Sequence, residues 1–158
     1  MRVGTMAIAL LAAMVASAQT AKRPAGGDWP TYNRDLASSR YSPLTQINAS
    51  NVQKLAVAWS YKMRAEPGSA VAGTMNEVTP IVVNGVVYLP AGNKVVALDP
   101  DTGQEIWRYS LKSGVASQRG LAYWPGDRNN PPRILFLTGH KMVALNAKTG
   151  KLDPGFGQ

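Results

Sequence analysis

The stretch VVALDPDTGQEIWRY, residues 95–109, decides how this chain folds. It opens as a largely β-branched run, breaks at Asp99-Pro100-Asp101-Thr102-Gly103, and resumes as a short run carrying Trp107. Turn-forming residues between two strand-like runs predict a chain reversal between antiparallel strands. The same logic extends upstream, where Asn84-Gly85 and Ala91-Gly92-Asn93 punctuate two further apolar runs. Asn-Gly suits a type I′ hairpin, because both central residues need positive φ and these two tolerate it best. Four strands are therefore predicted, over residues 79–83, 86–89, 94–98 and 105–109.

The pattern returns. Sliding the chain by 47 residues sets GNKVVALDPDTG, 92–103, on GHKMVALNAKTG, 139–150, with seven of twelve positions identical. A fainter third copy places Trp59-Ser60-Tyr61 in front of Trp107-Arg108-Tyr109 by 48 residues. A period in the forties with four short strands per unit is the signature of β-propeller blades, which must stack on neighbours to bury both faces. The predicted fold is all-β, a partial propeller of two to three four-stranded blades. Trp107 then packs against the next blade as a periodic fastener. Burying an indole removes about 200 Å² from water, roughly 4 to 5 kcal/mol at most. A β-sandwich with an ordinary buried tryptophan is the alternative, but a sandwich has no reason to repeat at a fixed period.

Ahead of the repeats, MRVGTMAIALLAAMVASAQ carries one basic residue, an apolar run and Ala16-Ser17-Ala18, a small-x-small cleavage pattern. Residues 1–18 are read as a signal peptide and 19–27, QTAKRPAGG, as a flexible linker, with the propeller portion over 28–158. The apolar run is well short of the roughly 20 residues that span a bilayer, so a membrane anchor is the weaker reading. Export to the periplasm is expected. There is no cysteine, so neither disulfides nor thiolate metal sites are available. Seventeen Lys and Arg against nine Asp and Glu give a net charge of +8. The only adjacent basic pair is Lys22-Arg23, so the charge is spread rather than concentrated as nucleic-acid binding requires. Further on, Ser50 is placed to cap a short helical turn through Leu55, followed by a strand over 56–61.

ALDPDTGQEIW, 97–107, resembles the tryptophan-docking motif of the quinoprotein propellers, dehydrogenases that use pyrroloquinoline quinone (PQQ). Non-catalytic propellers share that motif. Three further segments resemble the catalytic branch. DWPTYNRDLASSRYSPLTQINASNVQKLAVAWSY (28–61) is similar to the N-terminal segment of quinoprotein alcohol and glucose dehydrogenases. NEVTPIVVNGVVYLP (76–90) resembles their first cofactor-facing strand, and QRGLAYWPGD (118–127) the segment that brings an arginine to PQQ.

The resemblance implies that Glu77 is the acidic residue near PQQ and Arg119 the arginine that meets its oxygens. An Arg fork suits a ligand with three carboxylates and an ortho-quinone, and a carboxylate can accept from a ring N–H. It also implies Ca²⁺ and a catalytic aspartate supplied from outside these residues, a sugar, polyol or alcohol substrate, and a cytochrome c or membrane quinone as electron acceptor. The chain is then the N-terminal portion of a longer dehydrogenase, inactive by itself. A non-catalytic scaffold for protein binding is the alternative.

Two departures bear on substrate. Ser113-Gly114 stand where methanol-type enzymes have a vicinal cysteine pair, and Pro154 stands 47 residues after Trp107, where the fastener would recur. Both point toward the glucose-type branch. His140, the only histidine, occupies the turn position of Asn93 in the preceding repeat and is read as a turn residue.

Overall fold

The computed structural model describes residues 26–63, 77–117 and 119–157. The expected signal peptide and most of the linker lie outside the described residues. Two antiparallel sheets carry the fold. The first contains β1 (Ile81–Val83), β2 (Val86–Pro90), β3 (Lys94–Leu98) and β4 (Glu105–Ser110) in that order. The second contains β5 (Ala122–Trp124), β6 (Arg133–Thr138) and β7 (Lys141–Asn146). Beyond β7 the chain begins a fourth position, with Leu152 bridged to Leu145. These are one complete propeller blade and most of a second.

Local chemistry sets each reversal. Asn84 and Gly85 have φ of 52° and 71°, as the type I′ turn demands, so Val83 faces Val86. At the next reversal but one, Asp99 Oδ1 accepts from the backbone N–H of Asp101 and Thr102 and from the Thr102 hydroxyl. Those donors, the hydroxyl first, hold the Asp99 carboxyl below its ordinary pKa. In the second blade Asn146 Oδ1 accepts from the N–H of Lys148 and Thr149. The turn needs a side-chain acceptor rather than a charge, which explains why Asp99 and Asn146 exchange between the repeats.

Burial follows the stacking. β3 is buried along its whole length because it is covered on both faces. On one face Ile81, Val83, Tyr88, Val95 and Ala97 pack against Ile134, Phe136 and Leu145 of the second sheet. On the other, Leu89, Val96 and Leu98 pack against Trp59, Tyr61, Met63 and Val78. β4 instead alternates, with Trp107 and Tyr109 turned toward the second sheet and Ile106 and Arg108 toward solvent.

The fastener occurs twice in one geometry. Trp59 Nε1 donates to the carbonyl of Pro100 (2.8 Å), and its ring lies on Gly103. Trp107 Nε1 donates to the carbonyl of Ala147 (2.9 Å), and its ring lies on Gly150. A Cβ on either glycine would sit 2.6 Å from the indole, and both glycines have φ near +70°. Glycine is thus required for contact and for conformation. Tyr88, whose hydroxyl also reaches the Ala147 carbonyl (3.3 Å), has its pKa pushed up to about 12, chiefly by burial.

Two local expectations need correction. Residues 56–61 form no strand. They are held by side chains instead: besides Trp59, the Tyr61 hydroxyl donates to Glu105 (2.6 Å), and Lys94 lies over the Tyr61 ring. Nor does Ser50 cap the helical turn, a 3-10 turn at Val52–Lys54 whose N-cap is Asn51. The Ser50 hydroxyl is engaged with Asn48 Oδ1 at 2.6 Å. Trp29 exchanges backbone hydrogen bonds with Val82 and covers part of the free edge of β1.

The far end of the second blade is closed by Arg133. Its guanidinium lies 4.8 Å from the Trp124 ring centre and 5.8 Å from that of Phe156, and it pairs with Asp153. Both charged side chains are largely buried, and Arg133 holds the Asp153 carboxyl below its ordinary pKa. A depressed carboxylate stabilises the fold above its unfolded pKa and loses that contribution as pH falls through the folded value. Trp124 fluorescence is therefore expected to change only below about pH 4, where carboxylates of ordinary pKa titrate, and Asp153→Asn should abolish that acid transition. For the fastener, Gly150→Ala is expected to destabilise by more than the about 1–2 kcal/mol that a left-handed non-glycine residue costs, because the indole must also move. A melting curve equal to the parent's would contradict this.

Candidate functional site

Strand direction sorts the loops onto two ends of the blades. Ile81 faces Tyr88, so the residues entering β1 lie at the same end as the β2–β3 turn. Ala122 faces Leu135, and Thr138 faces Lys141, so the residues entering β5 lie with the β6–β7 turn. The two sheets meet through their first strands, β1 and β5. Asn84, just past β1, donates to the Tyr123 hydroxyl of β5 at 3.4 Å, so these strands finish together and their starts share the opposite end.

Glu77 lies four residues before β1 and Arg119 three before β5. Both are exposed, and neither side chain is spent on a hydrogen bond or ion pair with another described residue. Strand direction thus places both at the same end of the blades. Val78, next to Glu77, is anchored in the apolar cluster on the first sheet.

The connection leading to Arg119 is fixed by its backbone. Leu111 N–H donates to Asn93 (2.8 Å), Ala116 N–H to Gly92 (3.2 Å) and Ser117 N–H to Leu137 (2.8 Å). Leu111, Ala116 and Leu121 are buried beneath it. This connection therefore ties the β2–β3 turn of one blade to the end of β6 in the next, and Arg119 emerges just beyond the last tie. Gly114 has φ of 76°, and a Cβ there would lie 3.2 Å from the Thr138 hydroxyl. The sequence drew attention to Ser113-Gly114 for a missing cysteine pair; the backbone ties of Ala116 and Ser117 carried no signal there.

The donor set fits a flat, multiply carboxylated ligand. Arg119 offers a planar fork of N–H donors, and Glu77 offers acceptors only. Among the described residues no group of three or more His, Cys, Asp or Glu could hold a metal ion. His140 is exposed in the two-residue turn between β6 and β7. No helix of the described residues is long and apolar enough to cross a membrane.

Comparison with known proteins agrees with this fold. Residues 29–158 match the PQQ family described as glucose/ethanol/alcohol dehydrogenase, beta-propeller domain. The chain is 40% identical over 137 residues to the dehydrogenase subunit of the quinone alcohol dehydrogenase of Gluconobacter oxydans (strain 621H), covering 80% of this chain and 16% of that protein. It is 37% identical over 169 residues to quinoprotein glucose dehydrogenase A of Acinetobacter calcoaceticus, covering 90% and 21%. The crystal structure of quinohemoprotein alcohol dehydrogenase from Comamonas testosteroni superposes with a TM-score of 0.61 at 37% identity, covering 79% of this chain and 18% of that one. The chain thus spans about a fifth of the length of these relatives. With its two blades, its paired tryptophan fasteners and the family match across both, the chain belongs to the PQQ-dependent quinoprotein dehydrogenases of the glucose/ethanol/alcohol type.

Proposed function

We propose that this chain forms the first blades of an exported, periplasmic dehydrogenase that oxidises a sugar, polyol or alcohol with PQQ, and that Glu77 and Arg119 help to hold the cofactor. One observation carries the reading: both residues enter the adjoining first strands at the same end of the blades. Bound PQQ supplies the two-electron acceptor for the hydride that leaves the substrate carbon. Arg119 donates to the cofactor's oxygens and offsets their charge. Glu77 accepts from a ring N–H or orders the neighbouring donors. The pinned connection through Ala116 and Ser117 keeps the Arg119 fork from wandering, so less ordering is required when ligand arrives.

The Ca²⁺ ligands and the catalytic aspartate are assigned to other segments of the dehydrogenase, in keeping with the share of its relatives that this chain spans. Electrons pass to a cytochrome c or a membrane quinone. The Ser113-Gly114 pair and Pro154 favour a sugar or polyol over methanol. Ala16-Ser17-Ala18 supports cleavage and export.

A PQQ titration of the full-length protein that carries this segment tests the reading. Arg119→Ala is expected to weaken binding by about 10- to 100-fold, the worth of a charge-assisted hydrogen bond at 1.5–3 kcal/mol, and Glu77→Gln by less. Unchanged affinity in both would favour a non-catalytic propeller that binds proteins. Residues 28–158 alone are expected to show no dye reduction with glucose, PQQ and Ca²⁺; turnover dependent on all three would contradict the assignment of the remaining groups elsewhere.

A further inference from the structure

The two ends of the blades differ in charge. Among the described residues, Asp28, Asp99, Asp101, Glu105, Asp127 and Asp153 fall at the end where β1, β3, β5 and β7 finish and β4 starts, with Arg128, Arg133, Lys148 and Lys151 beside them, so that acids outnumber bases there. Several are committed there: Asp28 accepts from Asn84 N–H, Glu105 pairs with Arg108, and Asp153 pairs with Arg133. At the opposite end Glu77 is the one described carboxylate of the two blades, and Lys112, Arg119 and Lys141 accompany it. Lys112 lies on the pinned connection. Lys141 faces Thr138, whose hydroxyl adjoins Gly114 of that same connection. Both lysines are exposed, and neither is ion-paired with a described residue. Lys94, at the start of β3, is buried and lies over the Tyr61 ring, so it adds little at the rim.

We infer that this end is an electropositive mouth, in which Lys112 and Lys141 speed the capture of a small polyanion, PQQ as its tricarboxylate, without contacting it once bound. The inference rests on the cofactor reading above. Charges of one sign around a low-dielectric wall raise the encounter rate of an oppositely charged ligand, by 10- to 1,000-fold in the strongest cases. They act over a Debye length of about 8 Å at physiological ionic strength, so the gain fades with salt. Once the ligand is seated, its residence depends on the groups that touch it, which makes the two roles separable in kinetics.

Stopped-flow association of PQQ with the full-length apoprotein separates them. Removing both charges together, with Lys112→Gln and Lys141→Gln, is expected to lower the association rate constant roughly three- to tenfold at low salt. It should also flatten the salt dependence and leave dissociation unchanged. Lys148→Gln with Lys151→Gln, at the far end, should change nothing, and the uncharged trimethyl ester of PQQ should bind all forms at one rate. An unchanged association rate, an equal fall in the far-end pair, or an effect confined to dissociation would overturn the inference. Undiminished affinity in Arg119→Ala would instead overturn the cofactor reading beneath it.

Discussion

An indole lying on a glycine organises this molecule. A four-stranded blade has two apolar faces and cannot cover both itself, so everything depends on how one blade is registered on the next. Trp107 supplies that register by closing flat onto the Gly150 turn while its N–H finds the Ala147 carbonyl. Each contact has a single solution: the ring needs the missing Cβ, and the polar edge needs that one carbonyl. Trp59 repeats the arrangement on Gly103 and Pro100, although the segment bearing it joins no sheet. The fastener is thus independent of strand pairing, and one sequence device serves both a blade and an arm.

Register has a geometric consequence. Because the first strands of both blades run the same way and touch, their starts converge at one end, and residues far apart in sequence come to share that end. Glu77 and Arg119 are such a pair. The backbone bonds of Leu111, Ala116 and Ser117 extend the same principle, since the chain crossing between blades is tied to the turns it passes. The opposite end is packed instead by side chains, with the Arg133 guanidinium against the rings of Trp124 and Phe156.

Much of this was legible in the sequence because turns announce themselves. Asn84-Gly85 and the Asp99 to Gly103 turn located the strands of the first blade to within two residues, and the repeat of those turns implied stacked blades. The run 56–61 misled because apolar and aromatic residues look alike whether they join a ladder or pack by side chains alone; pairing depends on a partner that the local sequence does not contain. The clasp on Arg133 was invisible for a related reason, since its rings come from separated segments and no period links them. The uneven placing of carboxylates was hidden more deeply. Acids and bases alternate along the chain, and only strand direction gathers most of the acids, with several bases beside them, at one end. Glu77 and Arg119 stand out by family likeness alone; nothing in their spacing marks them.

The central claim is that the blades present their cofactor site where β1 and β5 begin. The crystal structure of the full-length protein bound to PQQ tests it most directly. The account predicts the cofactor at that end, with the Arg119 guanidinium on its oxygens and Glu77 beside it. Cofactor seated at the opposite end, by Asn84 and the Asp99 turn, or clear of both blades, would contradict it.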